Sequence, residues 1–177
     1  MERASDLVAK SQRRAAFAPL HWIGLALLTA LLTACAGIKL VADYDAEAAK
    51  AIADTSSAVF TFYDRMISAR AAPPRPATLA YRDFADDWGR IETQIRVMLV
   101  REESRPLNAD SEAITKTILG FWASYRNKHL TTDDYNARLL VIHRDRFQRL
   151  FAAALRAEKA KQLNAADSNP ASAETEP

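Results

Sequence analysis

The chain has 177 residues, 49% of them hydrophobic and 26% charged, with 24 basic and 22 acidic side chains for a formal charge of +2. That balance excludes an acidic disordered tail and a multi-span membrane protein. Four glycines and a single cysteine exclude a Gly-rich phosphate loop, a disulfide framework and a cysteine-based zinc site, and frequent alanine with 8% aromatics favours helix over strand.

The first segment in chain order is an address. A polar stretch carrying Lys10, Arg13 and Arg14 leads into the apolar run 20–34, which ends at Cys35. Positive charge, a short apolar core and then small residues is the three-part order of a secretory signal. The run falls short of the roughly 20 residues that span a bilayer as a helix. Leu32-Thr33-Ala34-Cys35 places a branched apolar residue and two small ones before the only cysteine.

This tetrad resembles the lipobox of bacterial lipoprotein precursors. The resemblance implies cleavage between Ala34 and Cys35, diacylglyceryl attachment to the Cys35 thiol and acylation of the new amino terminus. Several chains on one residue make a durable anchor, whereas one chain holds only marginally. In the family's sorting rule an Asp after the cysteine retains the protein in the inner membrane. Ala36 at that position implies the outer membrane, facing the periplasm; the inner membrane is the alternative. An uncleaved signal-anchor helix is the alternative to processing. Removing residues 1–34 takes away four basic and two acidic residues and leaves 20 of each. A neutral mature chain lacks the cation surplus that nucleic acid binding needs.

From Asp45 the apolar spacing is helical. Ile52, Val59 and Met66 recur every heptad, with Asp43 and Asp45 placed to cap the start and Pro73, Pro74 and Pro76 to stop the helix. Phe84, Trp88, Ile91, Ile95 and Met98 define a second helix with Thr78 as its expected cap and Pro106 beyond its end. A shorter third helix carries Ile114, Ile118, Phe121 and Tyr125, with Arg126, Lys128 and His129 as cations in its last turn. Thr131 to Asp134 is spaced like a capping box for the fourth, whose stripe is Leu140, His143, Phe147, Leu150 and Ala154.

These segments predict an all-α domain, an antiparallel up-down-up-down four-helix bundle. The expected divisions are a signal peptide over 1–34, a lipidated terminus and tether over 35–44, the bundle over 45–163 and a disordered tail over 164–177. The tether is short, so the bundle starts within about 30 Å of the lipid even when extended.

No motif for nucleophilic, di-iron or zinc chemistry is present in the sequence. No catalytic residue, metal ligand or cofactor is therefore assigned. His143 sits on an apolar stripe, and counting back from the turns sets it level with Ile118, Arg96 and the Thr55-Ser56 pair. It is expected to bond a helix-one hydroxyl, the alternative being a small-ligand pocket or pH-responsive layer formed with Thr55 and Ser56. His129 with Asp133 and Asp134 reads as caps and a terminal cation before it reads as a metal site. Gly89 and Gly120, beside Trp88 and Trp122, are expected at close helix contacts. The fourth helix carries a cation surplus, and the acidic cluster Asp83, Asp86, Asp87, Glu102 and Glu103 of the second is expected to compensate it within the molecule, the alternative being docking to an acidic partner or to anionic headgroups near the anchor. The fit is a lipid-anchored, non-enzymatic structural or accessory subunit, its partners being membrane lipid through Cys35 and an envelope protein.

Overall fold

The computed structural model describes residues 41–73 and 77–167. They form four helices and no strand: α1 (Ala46–Ala71), α2 (Ala85–Glu103), α3 (Ala109–Thr132) and α4 (Ala137–Asp167), with a 3-10 turn at Tyr81–Asp83 before α2. Leu32, Thr33, Ala34, Cys35 and the tail beyond Asp167 lie outside the described residues, as do residues 74–76 of the proline break.

The start of α1 is capped as its sequence suggests. Asp45 Oδ1 accepts from the amides of Glu47 (2.9 Å) and Ala48 (3.2 Å), satisfying two of the free N–H groups. Ile52, Val59, Phe62, Tyr63 and Met66 point inward, and the helix ends just before the prolines. In α2 the expected stripe of Trp88, Ile91, Ile95 and Met98 is buried behind Phe84. Its start differs. Thr78 does not cap it; residues 77–80 run extended, Leu79 plugs into the core, and the helix begins after Phe84 without a side-chain cap.

The third helix is longer than expected, because Thr131 and Thr132 belong to its last turn. Their hydroxyls donate to the carbonyls of Asn127 (2.8 Å) and Lys128 (2.9 Å), one helical turn back. That back-bonding competes with capping. Asp133 then adopts a left-handed conformation (φ 47°) and closes the helix by donating its N–H to His129 O. Asn136, not Thr131, starts α4, its Oδ1 accepting from the amides of Arg138 (2.9 Å) and Leu139 (3.3 Å). The helix reaches Asp167, four residues into the predicted tail.

α1 packs against α2 and α4, and so does α3, which leaves α2 and α4 without an extensive shared face. Phe62, Tyr63, Trp88, Trp122 and Phe147 fill the centre edge to face, the two indoles 4.4 Å apart. The glycines beside the indoles are not close-contact sites. A Cβ added at Gly89 or Gly120 would meet nothing within 4 Å, so both face open space.

Where the described chain begins, charges are buried together. Glu158 is fully buried on α4 and accepts from Asp45 N (2.7 Å), Lys161 Nζ (2.5 Å) and the Arg105 guanidinium (2.9 and 3.2 Å). Lys161 also donates to Asn108 Oδ1 and Ser111 Oγ, and Asn108 donates to buried Glu102. Burial alone would raise the Glu158 pKa, but Arg105 and Lys161 outweigh it and hold the carboxyl below its usual range. Asp43 O accepts from Arg105, and Ala42 N donates to the carbonyl of left-handed Leu107 (φ 58°). Residues 42 and 43 are thus pinned to the end of α2 and the turn that follows it.

Candidate functional site

At the opposite ends of these helices lies a half-open cleft of about 250 Å³. Arg70 of α1, Lys128, His129 and Thr132 of α3, Asp134, Tyr135 and Asn136 of the following turn, and Leu139 and His143 of α4 line it. Asp134 holds it together. Its carboxylate accepts from both Arg70 terminal nitrogens (3.0 and 3.1 Å) and from Leu79 N (2.9 Å). Arg70 also donates to the carbonyls of Ala77 (2.5 Å) and Tyr135 (2.6 Å). Burial would push the Asp134 carboxyl up, but the amide and guanidinium donors hold it down and ionised.

His129 is fully buried beneath the cleft. The Trp88 indole N–H can only donate, so Nδ1 accepts from it (3.0 Å); Leu79 O can only accept, so Nε2 carries the proton and donates to it (2.7 Å). These partners fix a neutral tautomer, and burial depresses the pKa. His129 is therefore not the helix-terminal cation expected. Nor do its nitrogens turn to Asp133 and Asp134: Asp133 accepts from Tyr81 N (2.8 Å), and Asp134 is held as above.

His143 sits elsewhere than expected. Its ring stacks on Tyr125 at 3.5 Å with an interplanar angle of 5°, and Nδ1 meets the Tyr135 hydroxyl at 2.6 Å. Burial holds the Tyr135 phenol protonated well above its usual range, so its O–H donates to an unprotonated Nδ1. Burial, reinforced by the Arg146 charge, lowers the His143 pKa to about 4. Arg146 donates to the Tyr125 hydroxyl and stacks over Phe121 at 4.7 Å. On α1 the nearby hydroxyl is that of Tyr63, which is buried, interacts electrostatically with Tyr135 and makes no hydrogen bond of good geometry.

Thr55 and Ser56 are not part of this cluster. Arg144 pairs with Asp64 (2.8 Å), which sets His143 level with Tyr63 and about 12 Å along α1 from Thr55 at 1.5 Å per residue. Thr55 is buried in α1, and Ser56 donates to Ala53 O within the same helix. The cause is the turn between α3 and α4, which lies at 133–136 and not around 130. The hydroxyl partner Tyr135 and the stacking partner Tyr125 follow once that turn is placed.

The expected pairing of helix two acids with helix four cations does not occur among the described residues. Asp87 binds Arg65 and Arg90, Glu103 binds Lys116, and Glu102 binds Arg105. The reason is position, since α2 and α4 share no broad interface. No group of three or more His, Cys, Asp and Glu side chains among the described residues could hold a metal ion. No protein-family model, curated protein or solved structure matches the chain.

Proposed function

We propose that this chain is a lipoprotein precursor whose mature form is a helical bundle carried on acylated Cys35 at the periplasmic face of the outer membrane. It acts there as a structural or accessory subunit, without catalysis of its own. One observation carries the reading: the sole cysteine stands where the apolar run ends, behind Leu32-Thr33-Ala34. No helix among the described residues is long and apolar enough to cross a membrane. An up-down-up-down course is supported by contacts at both ends. Asp45 meets Glu158 where α1 starts, and Arg70 meets Asp134 where α1 ends.

Substitution of Cys35→Ser tests the reading. The precursor is expected to accumulate uncleaved, with no labelled fatty acid incorporated; cleavage before position 35 with membrane retention would overturn it. A second reading, a small-ligand-binding bundle, is favoured by the cleft beside His143. Its lining mixes apolar Leu139 and ring faces with Lys128, which has no ion-pair partner among the described residues.

A further inference from the structure

Cations are distributed unevenly over the surface. On α1, α2 and α3, the acids in reach answer Lys50, Arg65, Arg70, Arg90, Arg96, Arg101, Lys116 and Arg126, leaving Lys128 as the exception among the described residues. On α4, Arg144, Arg146 and Lys161 are engaged with Asp64, Tyr125 and Glu158. Arg138, Arg149, Arg156 and Lys159 are not: their side chains are exposed and find no partner among the described residues.

These four lie together. At 3.6 residues per turn, positions 138, 141, 142, 145, 149, 152, 156, 159 and 163 fall within an arc of about 100°, a stripe roughly 37 Å long. Between the cations the stripe exposes Val141 (43%) and Ile142 (40%), beyond them Leu163 (68%), and its one acid, Asp145, is neighbour to Arg144. Aliphatic side chains among unpaired cations along one exposed helix face match an anionic surface that accepts short apolar insertions. The covalent attachment brings such a surface close. Cys35 is six residues before Val41, and the segment from Ala42 to Asp45 is tied to the turn after α2 and to Glu158 of α4 itself.

We propose that the outward stripe of α4 docks on anionic phospholipid headgroups, laying the bundle along the membrane that holds its acyl chains. The proposal rests on the lipid anchor of the preceding section. The anchor supplies proximity, and the stripe sets orientation. Each cation near an anionic leaflet strengthens partition by about fivefold, so loss of all four weakens docking by more than about 10²-fold.

The test uses full-length processed protein reconstituted in vesicles, with Ile142→Cys carrying an environment-sensitive fluorophore and Thr93→Cys, exposed on α2, as the control. The parent chain labelled in parallel gives the background at Cys35, and its intact mass reports acylation separately, so a failed anchor and a failed stripe are told apart. On phosphatidylglycerol vesicles the label at 142 is expected to be quenched by nitroxide lipid. The quenching should vanish on phosphatidylcholine, in high salt and in the combined Arg138→Gln, Arg149→Gln, Arg156→Gln, Lys159→Gln variant. The label at 93 should stay in water throughout. A label at 142 as water-exposed as that at 93 on anionic vesicles, or quenching indifferent to charge, would overturn the proposal. So would shielding seen in native membranes and absent on pure lipid, which would assign the stripe to an acidic protein.

Discussion

His143 shows how one side chain couples fold to pH. Its folded pKa of about 4 lies below the usual imidazole value, so between about 4 and 6.5 the unfolded chain binds a proton that the folded chain refuses. Stability contributed by neutral His143 is complete above the unfolded pKa and is lost as pH falls through that window. His129, depressed in the same direction, adds to the slope. His143→Asn keeps an acceptor for Tyr135 and removes the proton site, so melting temperature from pH 7 to pH 4 should fall less steeply than in the parent. An unchanged slope would show that His143 does not titrate with folding. Glu158 works on the opposite principle, as a charge kept buried by its partners. Glu158→Ala strands Arg105 and Lys161 and should cost about 3–5 kcal/mol in denaturant unfolding, far more than a surface carboxylate.

Among the elements, the stripes of α1 and α2 were legible because heptad spacing of large apolar residues has few other readings. Helix ends were less so. Thr131 and Thr132 suit a cap and the last turn of a helix equally well, and only the left-handed Asp133 and the Asn136 cap decide between them. A turn misplaced by about four residues shifts the facing register by about eight, which is why Thr55 and Ser56 were paired with His143 in place of Tyr135 and Tyr125. Glu158 and Lys161 continue the spacing of Phe147, Phe151 and Ala154 and are buried with them; a sequence does not say when an apolar stripe is prolonged by an ion pair. Two consequences can be measured. Asn136→Ala should destabilise by about 1 kcal/mol through loss of the α4 cap. Gly120→Ala, with open space at its Cβ, should stabilise by about 0.5–1 kcal/mol, whereas close helix contact would make it destabilising.

For the whole molecule, two ends of the bundle carry different devices. One end ties the incoming chain into a buried ion network; the other frames a cleft around neutral histidines and the Arg70–Asp134 pair. The all-helical class was readable from composition and periodicity, while the cleft depended on side chains brought from three helices and a turn, which no linear spacing records. On the proposed reading the mature chain is held at its membrane by acyl groups on Cys35, and everything proposed for its location rests on that bond. Intact mass spectrometry of the protein extracted from membranes tests it most directly. The account predicts a chain beginning at residue 35 and heavier than its peptide by a diacylglyceryl group and a further acyl chain. A mass matching the unmodified chain, with residues 1–34 still attached or with a free thiol at Cys35, would contradict it.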